Sequence, residues 1–128
     1  MPATEVWRFK DRKGEVPLKD WLESLQKNDP NAWIKCLQRI TLLAEKGFEL
    51  RRPLADYLRD AIYELRVRHG RKNYRMLYFF LASRRNVAVV SHGLEKEGRV
   101  PDEDIERAIK NKELVDLNSD KYTDNLNN

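Results

Sequence analysis

The chain has 128 residues, 41% of them hydrophobic and 36% charged, with a formal net charge of +4. That length suits one domain and excludes two independent cores, while the composition excludes wholesale disorder. No apolar run approaches the roughly 20 residues that span a bilayer, and the first ten residues lack a basic-then-apolar leader pattern, so a cytoplasmic protein is expected.

In chain order, Val6, Trp7, Arg8 and Phe9 predict a short first strand, ended by the segment Gly14 to Pro17. From Pro17, apolar residues Leu18, Trp21, Leu22 and Leu25 fall at i, i+3, i+4 and i+7, the period of an amphipathic helix. Asp29-Pro30 then offers a side-chain cap followed by a first-turn proline, and Trp33, Cys36, Leu37, Ile40, Leu43 and Ala44 carry one stripe to Gly47. These elements form a helical hairpin whose apolar face requires a sheet. Phe48 to Asp60 has no sustained period and reads as a loop.

After it the period becomes two. Across Ala61 to Arg68, Ala61, Tyr63, Leu65 and Val67 alternate with Ile62, Glu64, Arg66 and Arg68, predicting a half-buried strand with a charged outer face. His69 to Lys72 turn the chain around Gly70, Asn73 to Leu81 form an aromatic strand whose single charge is Arg75, and Asn86 to Gly93 form a third run ending at His92. A last helix starts near Pro101, with Asp102, Glu103 and Asp104 at its positive end, Lys110 and Lys112 toward the other, and Ile105, Ala108 and Ile109 buried. Residues 116–128 are polar and read as a disordered tail behind a domain of residues 1–115. The expected fold is α+β: a short N-terminal strand, a helical hairpin on a mainly antiparallel four-stranded sheet, and a C-terminal helix.

The lone Cys36 sits in an apolar stripe and reads as a small core residue. One cysteine with His69 and His92 makes neither a disulfide framework nor a zinc-site spacing, so no metal or other cofactor is expected. Charge is unevenly spread: residues 59–99 hold ten basic and four acidic side chains, residues 100–128 four and eight. A positive field concentrated in one stretch suits a polyanion, or a solvated basic face. Glu64, Arg66 and Arg68 share one parity, and Arg75 and His92 on the next strands join them if register permits. A charge inside an aromatic strand, as at Arg75, needs a partner or a ligand.

The segments AIYELRVRHGRKNYRMLYFF and NVAVVSHGLEKEGRVPDEDIERAI, within this order of elements, resemble the RelE/ParE toxin superfamily over residues 5–112, and most of all its phage-derived HigB-like branch. The resemblance implies a RelE-like fold and the toxin of a type II toxin–antitoxin pair that cuts messenger RNA on the ribosome without metal. In that chemistry the ribose 2′-OH attacks the adjacent phosphate, leaving a 2′,3′-cyclic phosphate and a 5′-OH. Arg66 matches a basic active-site position, Arg75 the contact to the scissile phosphate, and Lys96, just after the His92-Gly93 pair, a basic residue that contributes to the site; Arg68, on the face of Arg66 by parity, is expected to bind substrate beside Lys96. Glu64 is either the proton acceptor or the group that orients Arg66 and Arg75, and His92 an acid or base. The tyrosine that several relatives carry near the chain end has no counterpart between Tyr78 and Tyr122.

The resemblance also implies a helix-turn-helix antitoxin as partner, with operator DNA bound only through it. Two surfaces offer themselves to that partner: the basic sheet face, and the outer face of the hairpin with Lys19, Glu23, Lys27, Lys35 and Gln38. Two other readings stand beside this one, a ParE-like gyrase-binding toxin without nuclease chemistry and a catalytically weak antitoxin-binding subunit.

Overall fold

The computed structural model describes residues 4–125. Strand β1 (Glu5–Phe9) leads into helices α1 (Pro17–Asn28) and α2 (Pro30–Lys46). Asp29 serves both helices: its N–H donates to the Leu25 carbonyl, closing α1, and its carboxylate accepts from the Ala32 N–H at 3.2 Å, opening α2. Gly47, at φ +53°, ends α2 and opens one 3-10 turn, Gly47–Glu49. The chain then forms β2 (Ala55–Arg59), β3 (Ile62–His69), β4 (Lys72–Phe80), β5 (Val87–Glu95), α3 (Asp102–Leu117), α4 (Ser119–Tyr122) and β6 (Thr123–Asn125).

The six strands make one open mixed sheet in the order β2-β3-β4-β5-β1-β6. β2 to β5 form the antiparallel meander, β1 joins β5 in parallel after the helical crossover, and β6 pairs antiparallel with β1. The α+β class holds, but the sheet has six strands rather than four. One of the two extra strands, β2, lies in the stretch expected as loop, where charge and a proline mask its short alternation. The other, β6, lies in the expected tail. Within that tail α3 runs on to Leu117, the Asn118 side chain caps α4, and Tyr122 is 6% exposed in the core. Residues 126–128 of the expected tail lie outside the described residues.

Both faces of the sheet are covered. Leu18, Leu22 and Leu25 of α1 and Cys36, Ile40 and Leu43 of α2 pack on Leu65, Val67, Met76, Tyr78 and Val90. On the other face, Ile105, Ala108 and Val115 of α3, with Tyr122, pack on Ile62, Leu77, Phe79, Val87 and Val89. Phe79, Val87 and Val89 are fully buried there, at 0% exposure. Each such side chain gains about 1.5–3 kcal/mol from burial. The face expected to be charged and solvated is therefore a second core, and Glu64 on it is only 2% exposed.

A bulge decides where β5 points its polar residues. Tyr78 pairs with Val90 but Leu77 with His92, so Ser91 is the extra residue. Before the bulge the odd residues Val87 and Val89 face α3; after it the even residue Leu94 does, and Ser91 and His92 both hydrogen-bond toward that side. Gly93 then faces α1, where a Cβ would lie 2.3 Å from the Trp21 ring. At the β2–β3 turn, Asp60 and Ala61 have φ of 51° and 66°, the pair of positive values a tight two-residue hairpin demands, so Ala61 belongs to the turn and not to the strand.

Candidate functional site

Arg66 and Arg75 stand directly opposite each other on β3 and β4. Two like charges in that position repel. Glu64, two residues along β3, resolves the conflict: its Oε1 accepts from Arg66 Nε at 3.1 Å and from Arg75 Nη1 at 2.5 Å. Arg75 Nη2 donates to the Gly98 carbonyl at 2.9 Å. Glu64 and Arg75 are 2% and 8% exposed, whereas the Arg66 side chain is 38% exposed. Arg66 is thus the cation presented to solvent, and Arg75 is anchored beneath it. Burying a guanidinium is tolerable when its charge is neutralised and its fork of donors is used, and both conditions hold here.

Two open pockets share Arg66 and Arg75 as a common wall. The first, of about 460 Å³, adds Arg39, Leu54, Arg68 and Asn73. The second, of about 480 Å³, adds Asp56, Arg59, Glu64 and Arg99 below the Gly98 loop. Arg68 is exposed, with Nε 3.4 Å from the Gly70 carbonyl. Lys96 is exposed at the end of β5 and lines neither pocket; its backbone N–H donates to the Asn73 carbonyl.

His92 is 2% exposed and also lines neither pocket. Its neighbours form a chain in which Asn111 donates to Ser91 Oγ at 2.8 Å, Ser91 lies 2.7 Å from His92 Nδ1, and His92 Nε2 lies 3.0 Å from Asp104 Oδ1. This pattern assigns the proton to Nε2, which donates to the carboxylate while Nδ1 accepts from the hydroxyl. Burial, together with the Arg107 charge, pushes the imidazole down to about 4, against the pull of Asp104. The neutral ring thus fastens α3 to β5. His69, at the end of β3, lies 3.8 Å from Asp29, the residue that caps α2.

The depressed value has a consequence for stability. A histidine whose folded pKa lies below its unfolded value of 6.5 contributes stability that is fully present above that value and lost as pH falls toward about 4. The expected loss across that window is on the order of 3 kcal/mol. Urea denaturation from pH 7 to pH 4 should show this loss in the wild type and a flatter profile in His92→Gln; equal slopes in the two proteins would exclude His92 as its source.

Arg39, Gly98 and Arg99 have no role in the sequence reading, and Asp104 has only that of a negative charge at the start of the last helix. Arg39 left a signal there: it lies between Cys36 and Leu43 on the apolar stripe of α2, a charge where a core residue belongs. Gly98 acts through its carbonyl and left none. Cys36 is fully buried, and burial pushes its thiol up to about 12, so it is an inert core residue. Among the described residues no group of three His, Cys, Asp or Glu side chains is placed to hold a metal ion, and no helix is long and apolar enough to cross a membrane.

Fold and site together define a small α+β domain with an arginine-lined cleft organised by one buried carboxylate. The family model of the phage-derived Gp49-like proteins (DUF891) matches residues 20–113, and the chain belongs to this family, which is associated with toxin-like phage-derived proteins of the RelE kind. The matched span runs from α1 through most of α3 and contains every residue of the cleft. No curated protein matches the chain.

Proposed function

We propose that this protein is the toxin of a type II toxin–antitoxin pair, of the HigB-like branch, and that it cleaves messenger RNA on the ribosome by metal-independent attack of the ribose 2′-OH. The observation that carries this reading is the Arg66–Glu64–Arg75 arrangement at the wall between two open pockets. Cleavage of this kind places extra negative charge on a pentavalent phosphorane. Arg66, held at the surface by Glu64, supplies a preorganised positive fork for that charge, and such preorganisation is usually the largest catalytic contribution. Arg75 reaches the phosphate once the Gly98 carbonyl releases its Nη2. Arg68 binds the flanking backbone and Lys96 the RNA outside the cleft.

Toeprinting of a defined message on purified ribosomes tests the reading: cuts ending in 2′,3′-cyclic phosphate are expected with the wild type, and an intact message would overturn it. Because the nucleophile belongs to the RNA, cutting should persist when the protein is stripped with EDTA and returned to magnesium-containing ribosomes. Abolition by stripping, with recovery on adding a transition metal, would refute the mechanism.

The burial of His92 and the double engagement of Glu64 Oε1 favour a second reading, in which the chain binds its partner and RNA but cuts weakly. The same assay separates the two. A cognate helix-turn-helix antitoxin is the proposed partner, covering the basic cleft or the outer face of the hairpin at Lys19, Glu23, Lys27, Lys35 and Gln38. Co-expression with the neighbouring gene product should yield a tight complex that binds operator DNA specifically, while this chain alone shows only weak, salt-sensitive binding. Specific operator binding by the isolated chain would contradict this assignment.

A further inference from the structure

Arg39 is the cleft residue contributed by the helical hairpin. It lies on α2 between buried Cys36 and Ile40, is itself half-buried, and donates from Nη1 to the Arg66 carbonyl. That contact uses one of the five N–H groups of a guanidinium. No ion pair involves Arg39 among the described residues, in contrast to Arg66 and Arg75, which share Glu64. Burial lowers the pKa of Arg39 from its ordinary value, the mark of a cation losing hydration without a neighbouring carboxylate to offset the loss.

The two pockets differ in the same respect. The one beyond the Arg66–Arg75 wall contains Asp56, Glu64 and Asp102 among its arginines. The pocket that Arg39 enters is lined by Arg39, Arg66, Arg68 and Arg75 and by no carboxylate. Four arginines and no carboxylate line one concavity of about 460 Å³, and of the four Arg39 and Arg68 make no ion pair among the described residues, a lining that favours an anion. Asn73 adds an amide to the same wall. A phosphodiester suits this set in charge, and its paired oxygens suit the planar fork.

We propose that the pocket between α2 and the strands β3 and β4 binds a phosphodiester of the RNA flanking the one held at Arg66 and Arg75, with Arg39 as its ligand from the hairpin. The inference rests on the ribonuclease reading and extends it from the strands to α2. It makes the hairpin part of the substrate surface as well as the cover of the first core.

The test uses a fluorescein-labelled 2′-O-methyl RNA dodecamer, which lacks the attacking hydroxyl, titrated by anisotropy across a salt series. Arg39→Gln should weaken binding about tenfold and reduce the salt slope by about 0.7, the amount expected for one phosphate contact on a single strand. Arg39→Lys should keep the slope and lose about threefold in affinity, since charge remains but the fork does not. Arg12→Gln, exposed and outside both pockets, should change neither quantity. A wild-type slope in Arg39→Gln overturns the proposal even if affinity falls, because the loss is then structural. If circular dichroism shows Arg39→Gln unfolded, Arg39→Lys decides, and wild-type affinity in it overturns the proposal. Ribosomal cleavage by the wild type is scored separately: cutting with an unchanged Arg39→Gln slope removes only this inference, whereas an intact message and no oligonucleotide binding remove the ribonuclease reading as well.

Discussion

Arg75→Ala is expected to abolish growth inhibition and to reduce ribosome-dependent cleavage by at least about a hundredfold, the usual cost of deleting one donor to a developing oxyanion. The burial of Arg75 adds a second effect. Its partner Glu64 is 3% exposed at the side chain, so the alanine variant leaves a buried carboxylate with Arg66 alone. Removing one member of a buried pair costs about 3–5 kcal/mol, and the surviving Arg66 contact places this case at the lower end. Arg75→Lys separates the two effects. An ammonium can still neutralise Glu64 but cannot serve the carboxylate and a phosphate with one planar fork, so it should restore most of the stability and little of the activity. Urea denaturation and toeprinting on the same preparations check both quantities. Full toxicity in a folded Arg75→Ala protein would remove Arg75 from the mechanism.

Parity puts Glu64 and Arg66 on one face and leaves Arg75 to the register, which the uninterrupted pairing of β3 and β4 from Tyr63 to His69 settles by setting Arg75 opposite Arg66. A side-chain period of two survives only where the ladder does. On β5 the bulge at Ser91 interrupts it, and His92, whose place on the charged face depends on register, arrives there under α3 with both ring nitrogens engaged. The same alternation that revealed the cluster misjudged its surroundings. Ile62 has the parity of Glu64 and is fully buried, and Asn73 to Leu81 carries apolar residues of both parities, a pattern that already implies burial on two faces.

The missed elements have a common physical basis. β2 and β6 are the two edges of the sheet, with five and three residues, and an edge strand needs little apolar sequence because it is held mainly by its neighbour's backbone. The polar run Asn118 to Asp124 finds its partners far along the chain, with Asp124 paired to Arg8 and Tyr122 accepting at its carbonyl from the Lys10 N–H. Local composition reads such a run as a tail. The cleft was legible only in its strand-borne half for a similar reason: Arg39 and Gly98 reach it through tertiary contacts that no local period encodes.

The two roles open for Glu64 are separable because both guanidinium contacts converge on one oxygen, Oε1. In Glu64→Gln the amide oxygen can take that position and accept from Arg66 and Arg75, preserving the geometry while removing the charge and the capacity to take a proton. If Glu64 orients the arginines, the glutamine variant should keep cleavage within about tenfold of wild type, a loss of about 1.4 kcal/mol, with an unchanged pH profile. If Glu64 accepts the 2′-proton, the loss should reach 10²–10⁴-fold and the acid limb of the profile should disappear. Geometry favours orientation, since Oε1 is already committed to two donors and Glu64 is itself only 2% exposed. Both variants take the counter-charge from the buried Arg75, but Glu64→Ala also removes the acceptor that holds its fork, so it should fail on either account, at a cost of about 3–5 kcal/mol in stability. A glutamine variant folded as tightly as wild type, yet inactive at every pH, would assign the proton transfer to Glu64 and leave the orientation of Arg66 and Arg75 as its secondary task.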